Sequence, residues 1–386
     1  RICVRYECVP MRFIKHVYKI HTYAQDGCLF EGKTPVSAFL NSSYDGSFIA
    51  GLMELRYIQS LPVERIINYF ESHGFTLKKP TAHKLMEKAS SLFENLYKCI
   101  RQTALSDPYK AADETYYKIL VPEKNSKGKG VRKGYLWVVV GINTRMIYLL
   151  YDDGSRSEKV ILNELGGCKG IIQSDGYSPY RKLESDAYPH ITRIPCLQHI
   201  KRKFIDCGED DPDAKRIVEM INTLYQNEHK HKIGVDGWTV EQNLVHRKKY
   251  APDILGEIKD VLDDIEERGD LLPKSELKEA ITYLRNEWNA VVDIFNYGDT
   301  YLDNNIVERM NRYISLSRKN SLFFGSHKGA ERGAILYTIA LTCRMNKVNL
   351  FEYLTDVINR TAEWQPNTPL EKYRQLLPDR WEKAND

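Results

Sequence analysis

Three carboxylates lie in stretches of similar local character: Asp113 in AADETYYKI, Asp175 in GIIQSDGYSPY and Glu308 in LDNNIVERMNR. Each falls where a strand or a helix start would present an acid to a shared point. Three converging acids are what a pair of divalent metal ions needs in order to cut and join phosphodiesters. Taken singly, each has a plainer alternative. Asp113 could be a surface residue at a strand start, and Asp175 could open an Asp-Gly turn. Glu308 could be the third residue of a capping box begun by Asn305. On a regular strand Asp113 shares a face with Thr115, Tyr117 and Ile119, which leaves Glu114 on the other face and outside the predicted site. In the last stretch Ile306, Met310 and Ile314 form the expected buried stripe, with Glu308 and Arg312 on another face.

Basic residues gather near these acids. Lys124, Lys127, Lys129, Arg132 and Lys133 crowd EKNSKGKGVRK, a predicted flexible loop between two strands. Lys201, Arg202 and Lys203 follow Cys196 and His199, and Arg309, Arg312, Arg318 and Lys319 surround Glu308. Such residues hold phosphates and make binding strongly salt-dependent, although a solvated surface explains the first cluster equally well. The formal net charge is only +4, so any case for nucleic acid rests on these clusters and not on the total.

The rest of the chemistry is sparse. Eight cysteines are scattered without a CxxC pair, a pattern expected of reduced thiols in a cytoplasmic protein. Cys196-x-x-His199 with Cys207 offers three zinc ligands and no fourth, so zinc has little support and Cys196 is expected to pack at a strand end. There is no phosphate-cradling glycine loop, GxSxG or HExxH. The longest apolar run, around Ile335–Cys343, is too short to span a bilayer. The chain opens on Arg1, and an N-terminal piece is expected ahead of it.

The elements that must position the acids follow from periodicity. Residues 1–35 alternate apolar and polar positions, as in RFIKHVYKIHTY, and predict a short strand or hairpin. Residues 36–106 read as helical: Phe48–Tyr57, Val63–Ser72, and one long helix over Thr81–Leu105 with Leu85, Ala89, Leu92 and Leu96 on one stripe. Short turns between them suit a DNA-binding helix-turn-helix region or a plain helical bundle. Residues 107–208 predict an α/β unit with a strand at Asp113–Val121 and a hairpin turning at Asn143-Thr144-Arg145. Helix Glu158–Leu165 and strand Gly170–Ser174 follow, then a helix near Pro179–Glu184, strand HITRIPC and helix LQHIKRKFI. Residues 209–298 predict a charged, all-helical insertion, with stripes such as Ile254, Ile258, Val261, Leu262 and Ile265. The α/β unit resumes over 299–346 with helix Asn305–Ile314, a loop RKNSLFFGS and helix Ala330–Asn346. Residues 347–386 supply a last helix and a polar tail. Meandering strands followed by alternating helices and strands match a ribonuclease H-like order, so the expected class is α/β with large helical portions.

The series ADET, YLWVVV, QSDGYSPY, CLQHIKRKF, LDNNIVERMNR and SRKNSLFFGS resembles the transposases of the insertion sequence 66 family, over roughly residues 36–360. The resemblance implies a DDE transposase with a split ribonuclease H-like core and a helical insertion before the last acid. It also implies two Mg²⁺ or Mn²⁺ ions per site. Asp113, Asp175 and Glu308 match the three acids, with gaps of 175 − 113 = 62 and 308 − 175 = 133 residues. The implied partners are DNA, at element ends and target, a second copy when ends are paired, and accessory proteins of the same element, all at the bacterial nucleoid. Two departures stand out. YECVPMRF has Met11 where the family's second cysteine would stand, which weakens zinc further. Leu197 and Gln198 replace a segment that usually carries tryptophan. The acids admit two other readings, a metal-dependent nuclease that cuts without joining and a DNA-binding descendant without catalysis.

Overall fold

The computed structural model describes residues 3–8, 10–33, 37–39, 42–124, 128, 130–208, 210–365 and 367–383. A small hairpin comes first: β1 (Thr22–Gln25) pairs antiparallel with β2 (Cys28–Glu31) across Asp26 and Gly27, both at positive φ. RFIKHVYKIHTY, predicted as strand, forms none before Thr22, because no partner strand meets it.

Four helices follow: α1 (Gly46–Met53, running on as a π-turn to Ile58), α2 (Val63–Ser72), α3 (Lys79–Leu92) and α4 (Glu94–Ser106). The single helix predicted over Thr81–Leu105 is therefore two. It breaks at Phe93, whose φ/ψ of −92°/2° leaves the helical range while its side chain is fully buried. The break lets α3 pack on α1 and α2 while α4 lies along the sheet at β5.

The main sheet contains β3 (Tyr109–Leu120), β4 (Val131–Gly141), β5 (Met146–Leu150), β6 (Gly170–Ser174) and β7 (Ile191–Pro195) in the order β5-β4-β3-β6-β7. The first three form an antiparallel meander, and β6 and β7 run parallel to β3. Helices α5 (Glu158–Leu165), α6 (Ser178–Arg181, with a 3-10 turn to Glu184) and α7 (Leu197–Ile205) alternate with these strands. The fold is thus mixed α/β around a mixed sheet. β3 starts four residues before Asp113, so that acid is inside the strand and not at its start.

Helices α8 (Pro212–His229), α9 (Val240–Glu267) and α10 (Glu276–Ile294) form the predicted helical block. They bury Ile217, Ile221, Leu255, Ile258 and Ile281 together with Ile194, Leu197 and Phe204 from β7 and α7. Arg247, buried in α9, pairs with Glu228 of α8 and donates to the carbonyls of Tyr297 and Thr300. The chain is thereby fixed where it turns back toward the sheet.

The return runs into α11 (Asn305–Ser321), β8 (Phe323–Phe324), α12 (His327–Met345), α13 (Leu350–Thr361) and α14 (Leu370–Arg374). The loop predicted at RKNSLFFGS is mostly the last turn of α11 and the short β8. Arg318 anchors that turn on β3, and the Tyr337 hydroxyl bonds Ser317. The sheet, α1–α4, α12 and α13 share a second core that includes Trp137, Tyr148, Tyr337 and Tyr353. Among the described residues no helix is long and apolar enough to cross a membrane.

Candidate active site

The two aspartates meet through strand register. β3 and β6 pair in parallel, Tyr109 with Ile171 and Ala111 with Gln173. Side chains alternate along strands, so Asp113 and Asp175, two residues beyond the last pair, project to one face, near enough that the Asp175 charge raises the Asp113 carboxyl. The Asp175 carboxylate accepts the Tyr177 N–H at 3.1 Å, an Asx turn that also satisfies the Asp-Gly expectation. Asp113 accepts the Glu114 N–H at 2.8 Å and an Asn311 side-chain N–H at 2.6 Å. Burial pushes the Asp113 carboxyl up to about 8, and the negative charges of Asp175 and Glu114 add to the shift. Glu114 is held by Arg156 at 2.5 Å and by the Tyr180 hydroxyl at 3.4 Å.

The third acid arrives on α11. After Ala111, β6 diverges from β3, and β8 joins β3 only at Lys118. The backbone between them would be a bare sheet edge, and α11 covers it. Asn304 donates to the Ala112 carbonyl at 2.9 Å, and Arg318 donates to the Tyr116 carbonyl. Asn304, Glu308 and Asn311 follow at spacings of four and three, one stripe of a helix, so Glu308 lies between two residues fixed to β3. The N-cap is Asn304 without a side-chain cap bond, so the capping box predicted from Asn305 does not form. The buried stripe is Val307, Asn311 and Ile314: Ile314 is buried as expected, while Ile306 and Met310 are only half-buried.

His199, on α7, stands beside Glu308. Its Nδ1 lies 3.7 Å from Glu308 Oε1, and one ligand atom each of Cys196, His199 and Glu308 lie within 4.8 Å of one another. Among the described residues the two aspartates form no such cluster with them. Cys196 caps α7, and its sulfur accepts the Asn304 N–H at 3.2 Å. Cys207 plays no part in this cluster; its thiol donates to the Lys203 carbonyl. An open cavity of about 340 Å³ lies alongside, lined by Asp175, Tyr177, His199, Arg202, Lys203 and Tyr283 among others.

The donor set fits hard divalent cations. Two adjacent carboxylates, one held up to about 8, form a site short of positive charge. Glu308 Oε1, His199 Nδ1, Asn304 Oδ1 and Asn311 Oδ1 are buried polar atoms with no hydrogen-bond partner among the described residues. Carboxylate and amide oxygens are what Mg²⁺ and Mn²⁺ take. A sequence model described as Transposase IS66 family matches residues 41–332, a span holding all three acids.

The chain belongs to the IS66 transposase family.

Three proteins of Sinorhizobium fredii, all uncharacterized, are similar to this transposase-family chain. With y4jD it is 26% identical over 346 residues, covering 86% of this chain and 65% of that protein. With y4hP it is 24% identical over 404 residues, covering 98% and 70%, and with y4qI 26% over 385, covering 95% and 69%. The chain thus spans about two thirds of the length of these relatives.

The basic residues singled out by sequence divide. Arg202 lines the cavity. Arg309, Arg312 and Lys319 are exposed along α11. Arg318 is engaged, stacked 3.9 Å over the Tyr116 ring. Lys201 lies over Tyr225 at 6.0 Å. Lys124 is exposed just past β3, while Arg132 and Lys133 belong to β4 and not to a loop. They pair with Ile119 and Lys118, roughly 17–20 Å along β3 from Asp113 at the usual rise per residue. Lys127 and Lys129 lie outside the described residues. Sequence reasoning missed Asn311 and gave His199 no role beyond zinc. Their signal was spacing alone: Asn311 one turn after Glu308, and His199 one turn after Cys196.

Proposed function

We propose that this chain is the catalytic transposase of a bacterial insertion element, cutting element ends and joining them to target DNA at Asp113, Asp175 and Glu308. The observation that carries the reading is the register of β3 and β6, which brings Asp113 and Asp175 to one face, with α11 fastened to β3 through Asn304 and Asn311. The strand order β5-β4-β3-β6-β7, with the meander first and parallel strands after it, supports a ribonuclease H-like core. The helical block α8–α10 stands where such a core is split.

Asp113, Asp175 and Glu308 would hold Mg²⁺ or Mn²⁺. Such ions supply charge neutralisation at a scissile phosphate and acidify an attacking water or 3′-hydroxyl. The protein's own part is placement. Asn311 and the Glu114 N–H orient the Asp113 carboxylate, and the Tyr177 N–H orients that of Asp175. Arg202 and Lys203 line the open cavity at Asp175 and would hold backbone phosphates without reading bases. The exposed face of α11 would extend that contact, and α1–α4 would add further DNA contact. Paired ends require at least two copies in action.

The test is cleavage and joining of a labelled element-end duplex with Mg²⁺ or Mn²⁺, comparing wild type with Asp175→Asn. Metal-dependent cut and joined products that vanish in the variant are expected. Cutting without joining would reassign the chain as a nuclease. Equal product from both proteins would remove Asp175 from the reaction.

A further inference from the structure

The helical block meets the sheet beside the second acid, and α10 makes the contact. Tyr283 and Glu287 lie one turn apart on α10. The Gly176 N–H donates to the Tyr283 hydroxyl at 2.8 Å. Residue 176 has to be glycine for this approach: a Cβ there would come within 2.5 Å of that hydroxyl and 2.6 Å of the ring carbon bearing it. Glu287, with no exposed side-chain surface, pairs with the equally buried Arg193 of β7. Arg193 also donates to the Asp175 carbonyl at 3.2 Å and pairs with Glu184.

The Asp175 carbonyl and the Gly176 N–H belong to one planar peptide unit. Both of its polar ends are reached from α10, the N–H directly by Tyr283 and the carbonyl through Arg193 and Glu287, with the Ser174 hydroxyl donating to the same carbonyl at 2.9 Å. This fixes the backbone from which the Asp175 carboxylate projects. A buried ion pair stabilises a fold little more than apolar packing would, so charge at this point requires a reason beyond stability.

We propose that Tyr283 and Glu287 are positioning residues: the helical block grips the Asp175–Gly176 peptide and keeps the Asp175 carboxylate beside that of Asp113. The proposal rests on Asp175 being a metal-holding acid. It assigns the block a duty in assembling the reaction centre in addition to its place in the chain.

The experiment uses the full chain as wild type, Tyr283→Phe, Glu287→Gln and Asp175→Asn. Hydrogen exchange is followed over the segment containing Gly176, and Mn²⁺ binding is measured without DNA by electron paramagnetic resonance. Cleavage is then titrated with Mn²⁺. Tyr283→Phe keeps the ring and removes only the hydroxyl, so it carries the test if Glu287→Gln fails to fold. The expected result in Tyr283→Phe is faster exchange at Gly176 and Mn²⁺ binding weakened about tenfold, with cleavage recovered at high Mn²⁺; Glu287→Gln should show the same changes together with a lower melting temperature, because it breaks the buried pair with Arg193. Wild-type Mn²⁺ binding and Mn²⁺ dependence in Tyr283→Phe, with both lost in Asp175→Asn, would overturn the positioning role and leave the proposed function standing. Wild-type Mn²⁺ binding and cleavage in Asp175→Asn would instead overturn the proposed function and the positioning role together.

Discussion

Asn311 and Asp113, 198 residues apart in sequence, meet at 2.6 Å, side-chain N–H to carboxylate oxygen. That contact fastens the helix carrying the third acid to the strand carrying the first. The Asn311 side chain is nearly buried, and its amide oxygen has no partner among the described residues.

Replacing Asn311 with Ala removes a hydrogen bond to a charged group, worth about 1.5–3 kcal/mol. Cleavage should fall about 10- to 100-fold, with affinity for an element-end duplex retained. Single-turnover cleavage beside a binding assay checks this; an undiminished rate would show that the contact serves folding alone.

Metal-free stability should depend on pH through Asp113. Its carboxyl is held up to about 8 when folded, against about 3.9 in an unfolded chain. A raised folded value means that the stability is fully present below about pH 4 and is lost as pH rises toward about 8. Added Mn²⁺ must displace that proton, so the half-saturating concentration should drop about tenfold per pH unit between about 6 and 8. Melting curves with chelator and with Mn²⁺ at stepped pH measure both. A flat chelated profile between pH 5 and 8 would contradict the first expectation.

Arg193→Met would leave the buried Glu287 with only the half-exposed Arg181, 3.9 Å away, for a partner. Breaking one side of a buried ion pair costs about 3–5 kcal/mol, readable as a lower midpoint in urea. Arg193→Met combined with Glu287→Leu should recover much of that loss. Equal destabilisation in the single and double variants would show that the pair is not coupled.

Arg202→Ala and Lys203→Ala should each weaken DNA binding and reduce the slope of log affinity against log salt by about 1. The metal requirement of cleavage should not move. Slopes equal to wild type would place the DNA path away from this cavity.

Much of the fold is legible in local pattern. Val63–Ser72, Glu158–Leu165, Gly170–Ser174 and Leu197–Ile205 coincide with their predicted ends, because apolar period and terminal residues agree at each. Where prediction missed, distant packing decides. Phe93 breaks a continuous helical stripe because its ring is drawn into the core. The end of α11 stays helical through SRKNS because Arg318 and Ser317 find partners on β3 and α12. The site was legible as residue types and illegible as geometry. Nothing local to AADETYYKI or GIIQSDGYSPY states that their strands pair with 111 opposite 173, and nothing near Asp175 points to Tyr283. Cys196-x-x-His199 looked short of ligands because its neighbour Glu308 is more than a hundred residues away.

Docking α11 across β3 also has a temporal meaning. During synthesis strands β3–β7 and the whole block α8–α10 emerge from the ribosome before the first residue of α11. Until then the edge of β3 between Ala112 and Tyr117 is uncovered, and two of the three acids wait without the last. A product ending before α11 would carry Asp113, Asp175, Arg202 and Lys203 without Glu308 or the Asn311 contact that α11 makes with β3.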